Sequence, residues 1–354
     1  MGLLWLLVST MPIDRILIVG FGSIGKRHLK IARELIPDAD IRVLRHQVGD
    51  EIPQLANGHF FSAQDAVAFA PKMAVIANPA PFHIATAMVL AEAGIHLLIE
   101  KPLSSLLSGA TQLIKVCEKQ KVVLAIGYNL RFLESLQHYR KLLNDGIIGK
   151  ILSVRCEAGQ YLPSWRPMSD YRQSVSAQSK LGGGALLELS HEIDYLRWIF
   201  GDVEWVKATL TRQSALKIDV EDTAHLTLGF KLTLDNRRLI ATVNLDLIRH
   251  DAVRLCTVVG EKGSLRWNGL TGEVAFYEAG TNDWCVLCSI PHQHDDSYVA
   301  EWKSFIECVI EKKLPLITGD DGLEVLKIIE GARLSNEYGG RMFELKDLKA
   351  EGVD

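Results

Sequence analysis

The chain has 354 residues, 48% of them hydrophobic and 23% charged, the balance of a soluble chain long enough for two domains. A formal net charge of −4 argues against a nucleic-acid-binding face or an acidic tail, so an anionic substrate would have to be met by local Arg or Lys. The apolar run Gly2–Val8 is too short to span a bilayer and lacks the basic start of a secretory signal. Residues 1–11 therefore read as an extension, with Met11-Pro-Ile-Asp-Arg the more natural beginning, and the chain as cytoplasmic.

In chain order, Arg15–Val19 is a short apolar run of the kind that forms a buried strand, and it ends at Gly20. Ile24, His28, Ile31, Ala32 and Leu35 then recur at helical spacing until Pro37. Residues 41–45 give a second strand, so strand, glycine turn, helix and strand fill one βαβ unit. The alternation continues with strands at 73–77, 95–100 and 122–127 and helices at 82–93 and 106–119, which predicts a doubly wound parallel sheet over residues 12–128. From residue 129 the pattern changes. Strand-like runs at 151–161, 203–213, 223–230, 238–248, 253–260 and 273–278, with turns such as Asp235-Asn236, predict an α+β domain with an open, mainly antiparallel sheet. Helices are expected at about 184–199, 297–312 and 320–337, the last returning to the first domain. The six cysteines read as free thiols. Cys285 and Cys288 have CxxC spacing, but no second pair completes a metal site, so no metal is expected.

GFGSIG at Gly20–Gly25 carries the first chemistry. Gly20 permits the tight turn, Gly22 admits a pyrophosphate, and Gly25 lets helix and strand approach. Ser23 and Ile24 open a helix whose unpaired N–H groups and dipole favour phosphate. Its place after a strand and before a helix is what makes the motif a dinucleotide site. An NAD site usually carries an acid about twenty residues on. Here the strand ends Leu44-Arg45-His46-Gln47, with no acid before Asp50. Arg45 suits a 2′-phosphate, so NADP is favoured over NAD.

Glu100-Lys101-Pro102 ends a predicted parallel strand, where open α/β sheets place ligands. Together with GFGSIG and GGGALLELSHEID at 182–194, it resembles the glucose–fructose oxidoreductase, inositol dehydrogenase and rhizopine-catabolism family over residues 14–345. Asn78-Pro79 with His83, Tyr128-Asn129-Leu130-Arg131, Val259–Gly263 and Asp321-Gly322-Leu323 extend the match. The resemblance implies a Rossmann domain, then a domain whose sheet carries the substrate pocket and forms a homo-oligomer interface. It places Glu100 and Lys101 beside the nicotinamide, commonly with a cis bond before Pro102. Asn78, His83 and Asn129 would lie on the cofactor, and Lys101 would stabilise negative charge on the reacting oxygen.

The resemblance also makes His191 the group that exchanges a proton with the substrate hydroxyl. The family pattern after the three glycines is Asp, His four positions later, and Asp three beyond. Here Glu188 replaces that Asp and stands three residues before His191, while Asp194 keeps its spacing. Residues i and i+3 of a helix share a face, so Glu188 is expected to support His191, and Asp194 to be structural.

Residues 160–172, QYLPSWRPMSDYR, concentrate Tyr161, Trp165, Arg166, Tyr171 and Arg172. Aromatic rings suit sugar faces, and guanidinium forks suit carboxylate or phosphate. With Arg131, these favour an acidic or nucleotide-linked sugar of the kind used in surface polysaccharides. The reading is an NAD(P)-dependent oxidoreductase acting on a sugar-type hydroxyl or carbonyl carbon. The alternatives are an NAD-dependent glycosidase or a non-catalytic sensor on the same fold.

Overall fold

The computed structural model describes residues 13–46, 51–231 and 238–348. The extension at 1–11, Asp50 and the turn at Asp235-Asn236 lie outside the described residues. The chain divides into two compact units, one built on residues up to Gly127 together with Tyr298–Leu323, the other on Tyr128–Ser297 and Glu324–Lys349.

The first unit holds six parallel strands, β1 (Arg15–Val19), β2 (Asp40–Leu44), β3 (Gly58–Phe60), β4 (Met73–Ile76), β5 (His96–Glu100) and β6 (Leu124–Gly127). Their order is β3-β2-β1-β4-β5-β6, which reverses between β1 and β4, where such sheets bind dinucleotides. Helices α1 (Ser23–Leu35), α2 (Ala63–Ala68), α3 (His83–Glu92) and α4 (Ala110–Gln120) connect them. Residues of β4 are buried throughout, which is why the central strands read as unbroken apolar runs. Strand β3 escaped sequence reading because it is three residues long and only half-buried.

The second unit is a nine-stranded sheet: β7 (Ile151–Gly159), β8 (Val203–Thr211), β9 (Thr223–Phe230), β10 (Ile240–Asp246), β11 (Val253–Gly260), β12 (Gly263–Asn268), β13 (Glu273–Glu278), β14 (Cys285–Ser289) and β15 (Phe343–Glu344). They run in the order β14-β13-β12-β11-β7-β10-β9-β8-β15, antiparallel except where β10 pairs with β7. Alternation sets the faces. Val154, Cys156, Ala158, Ala241, Val243 and Leu245 are buried, while Arg155, Thr242 and Asn244 on the other face are exposed. On the buried face lie α5 (Glu134–Asn144), α7 (Ala185–Glu188) and α8 (His191–Phe200), while the short α6 (Leu162–Trp165) follows β7. Tyr139, Tyr195 and Trp267 fill the core there, with the Trp267 indole donating to Ser135 at 3.1 Å.

Two boundaries differ from the sequence reading. The helix expected at 184–199 is broken at Leu189-Ser190 into α7 and α8. The return to the first unit is made by α9 (Asp296–Glu311), not by the helix at 320–337. From α9, Trp302, Phe305, Ile306 and Val309 join Ile16, Ile18, Ile41 and Val43 in one apolar core, a 3.6-residue stripe on a sheet face. Of α10 (Gly319–Glu337), only the first turn belongs to the first unit. There a Cβ on Gly319 would come within 2.7 Å of Leu124.

Candidate active site

In the first unit the glycine turn is built as its spacing predicts. Gly20 has φ +90° and its N–H donates to Leu44 at 2.8 Å. A Cβ on Gly25 would stand 2.2 Å from the Gly20 carbonyl, so helix and strand close only without one. A Cβ on Gly22 would meet nothing within 4 Å, and no side chain caps the N-terminus of α1. The backbone around Gly22, Ser23 and Ile24 is thus open for phosphate. Arg45, at the end of β2, donates to the Glu51 carbonyl at 2.9 Å, and its guanidinium lies over the Phe61 ring.

At the end of β4, the Asn78 amide nitrogen donates to Thr86 at 3.3 Å. Its Oδ1 is buried and accepts no hydrogen bond among the described residues. His83 sits differently from expectation. It is 1% exposed, with Nε2 2.7 Å from the Asn78 carbonyl and Nδ1 3.0 Å from the Pro102 carbonyl. As a neutral imidazole it has one N–H and donates to one of these two carbonyls. Burial lowers its pKa despite those carbonyls.

Glu100 and Lys101 close this group, with the Lys101–Pro102 bond cis. The Trp302 indole N–H donates to His28 Nδ1 at 2.8 Å, so His28 presents Nε2–H to Glu100 Oε1 at 2.7 Å. Glu100 Oε2 accepts from the Lys101 N–H at 3.1 Å. Burial alone would raise the Glu100 pKa, but His28 and then Lys101 outweigh it and hold the carboxyl below its ordinary value. Glu100, expected on the cofactor, helps to fix the backbone of Lys101. Sequence reading missed His28 and Trp302 in this role, because a helical His and a distant Trp both look like core.

In the second unit the three glycines lead into α7. Gly184 has φ +105°, and a Cβ there would run into Glu221. Glu221 accepts from the N–H groups of Ala185 and Leu186, through its carbonyl and Oε1. Two residues later than α7, α8 begins at His191, which is 8% exposed and meets Tyr128 edge-on at 5.6 Å. The Tyr128 hydroxyl donates to Ser190. Glu188 closes α7, so it and His191 lie on different helices and the i, i+3 geometry of one helix does not govern them. Glu192 is buried against Arg254 at 2.7 Å.

Arg131, expected on the substrate, is 2% exposed and bonded to Asp194 through Nε at 2.9 Å and Nη2 at 2.6 Å. A fork so engaged anchors α8. Asn129 is likewise buried, its amide donating to Ser297 at 2.7 Å. Following β7, Tyr161 packs against His250, with ring centroids 4.2 Å apart and planes tilted by 39°. Sequence reading missed His250, since no motif marks it. The parallel register of Gly159 with Asp246 is what brings the loops after β7 and β10 together. The Trp165 indole donates to the Gln160 carbonyl, and Arg166 is exposed. Arg172 grips Asp170 at 2.7 Å, and the Tyr171 hydroxyl accepts from the Lys217 N–H. Among the described residues, no cluster of three His, Cys, Asp or Glu could hold a metal.

A parallel sheet with its glycine turn at the strand-order reversal, followed by a large antiparallel sheet, defines a dinucleotide-binding α/β protein with a second, sheet-based domain. The chain belongs to the Gfo/Idh/MocA oxidoreductase family: residues 15–128 match its NAD-binding Rossmann fold and residues 140–342 its C-terminal alpha/beta domain. It is 30% identical over 199 residues to the uncharacterized oxidoreductase sll0816 of Synechocystis sp., a match spanning 54% of this chain and 53% of that one. It is 27% identical over 355 residues to the Myo-inositol 2-dehydrogenase of Thermotoga maritima, covering 96% and 99% of the two chains. Its fold is similar to that of the WlbA dehydrogenase from Bordetella pertussis in complex with NADH and UDP-GlcNAcA, with a TM-score of 0.75, 22% identity, and 93% and 97% coverage. No helix among the described residues is long and apolar enough to cross a membrane.

Proposed function

We propose that the protein is an NAD(P)-dependent dehydrogenase or reductase acting on a hydroxyl or carbonyl carbon of a sugar derivative, with an acidic or nucleotide-linked sugar favoured. The observation that carries this reading is the fixing of Lys101 at the end of β5 by Glu100, His28 and Trp302, in the unit with the glycine turn. The residues fit a dinucleotide: Gly22 is open, α1 is uncapped, and Asn78 Oδ1 is buried without a donor. The cofactor, when bound, supplies or accepts the hydride. Gly20–Gly25 hold its pyrophosphate, and Arg45 meets a 2′-phosphate, which favours NADP.

Lys101 donates to the reacting oxygen and stabilises charge there. His191 takes or returns the hydroxyl proton, and Glu188 supports it from the neighbouring helix. Tyr161 and Trp165 offer ring faces to the sugar, and Arg166 is the guanidinium of the segment best placed for an anionic group. Tyr171 and Arg172 shape that segment through Lys217 and Asp170. Likeness to a dehydrogenase solved with UDP-GlcNAcA supports the nucleotide-linked class. We further propose that the exposed face of the nine-stranded sheet packs against a second copy of the chain, and that the protein works in the cytoplasm.

The test is Lys101→Met. Turnover should fall by roughly 10²–10³-fold, while the dissociation constant for the nicotinamide cofactor changes little. Unchanged turnover would remove Lys101 from the chemistry.

A further inference from the structure

Glu301, on α9, is 3% exposed, and among the described residues neither of its carboxyl oxygens has a hydrogen-bond partner. An ionised carboxylate in that place would have left water without gaining a donor. The charge it feels most is that of Glu100, which already takes the His28 Nε2–H and the Lys101 N–H. The other ionisable groups around the two acids are Lys101 beyond β5, His83 on α3, Arg27 and His28 on α1, and Tyr298 on α9. His28 offers Glu301 no acceptor, since its Nδ1 is filled by the Trp302 indole. Burial, and then the charge of Glu100, push Glu301 well above the usual carboxyl range, while Glu100 is held below it. Of the two buried acids, Glu301 is therefore the one that holds its proton more tightly and Glu100 the one that ionises more readily.

Such an acid costs stability and makes no bond in return, which is the mark of a residue kept for function. Resting on the nicotinamide reading above, the relevant variable is the ring's charge, which differs by one positive unit between oxidised and reduced cofactor. A cation arriving near two buried acids favours the ionised form of the protonated one. We propose that Glu301 is a redox-sensing acid: it keeps its proton when reduced cofactor binds and releases it to solvent when oxidised cofactor binds. By linkage, affinity for the oxidised form rises with pH through the titration of Glu301, while affinity for the reduced form stays nearly level.

The experiment is calorimetric titration of the full chain with NAD+, NADH, NADP+ and NADPH in two buffers of different ionisation enthalpy at one pH. Oxidised cofactor should release up to about one proton more than the reduced form, and Glu301→Gln should bind both forms with that difference gone. Equal proton release for the two forms, or a difference that survives in Glu301→Gln, overturns the proposal. Should the variant not fold, the wild-type chain decides: affinity for the oxidised form must climb with pH relative to the reduced form, and parallel curves overturn it. Binding of no nicotinamide form would remove the dinucleotide reading and this proposal together, whereas binding with equal proton counts removes this proposal alone.

Discussion

At Lys101 the backbone is set by a relay of three side chains, Trp302 to His28 to Glu100, each bond between 2.7 and 3.1 Å. The same cluster contains the least compensated group among the described residues, Glu301. In the native state Glu301 binds a proton that the unfolded chain gives up above its ordinary pKa of 4.5. Its cost is least in acid, and stability falls as pH rises from that ordinary value toward the native-state one. Glu301→Gln should therefore match the wild type at low pH and exceed it above, by a margin growing at most about 1.4 kcal/mol per pH unit. Urea unfolding of both chains from about pH 5 to about pH 8 reads this, and a margin independent of pH would contradict it. Sequence reading singled out Lys101, His191 and the glycines because each stands in a motif. It placed Glu100 and His83 on the cofactor and Arg131 on the substrate because a motif names residues without saying which way their polar atoms turn. The structure shows the protein partners of those three, which the motif does not name.

Among the elements, α1 and α8 carry the site, and each makes a prediction. Gly22→Val should leave thermal unfolding near that of the wild type and abolish cofactor binding, since its Cβ enters open space. Gly25→Ala should instead destabilise the fold, because its Cβ would stand 2.2 Å from the Gly20 carbonyl. Equal thermal behaviour of the two variants would contradict this division. Helix α8 is pinned by Arg131 on Asp194. Arg131→Met leaves a buried carboxylate alone and should cost about 3–5 kcal/mol in denaturant unfolding. A loss under about 1 kcal/mol, the worth of an exposed pair, would contradict the anchoring role. The alternating elements of the parallel sheet were legible because their periods are clean. The break at Leu189-Ser190 was not, since neither residue is a helix breaker and both neighbours continue the helical pattern. Strand β14 was also missed, because its residues are mostly exposed and show no alternation.

For the whole molecule, the two units and the change from parallel to antiparallel sheet followed from the order of elements. Which terminal helix returns to the first unit did not, because α9 and α10 both carry enough apolar residues to cover a sheet and only packing separates them. The exposed face of the nine-stranded sheet bears on assembly. Light scattering at micromolar concentration should give a mass above that of one chain, and a strictly monomeric protein would contradict the proposed self-association. The central claim is that a nicotinamide dinucleotide binds at Gly20–Gly25 in the service of chemistry on a sugar derivative. The most direct test is a fluorescence titration of the purified chain with NADH and NADPH, repeated with acidic sugars and sugar nucleotides present. Saturable binding is predicted, tighter for NADPH and tightened further by an acidic or nucleotide-linked sugar. The absence of saturable binding by either cofactor would contradict the account.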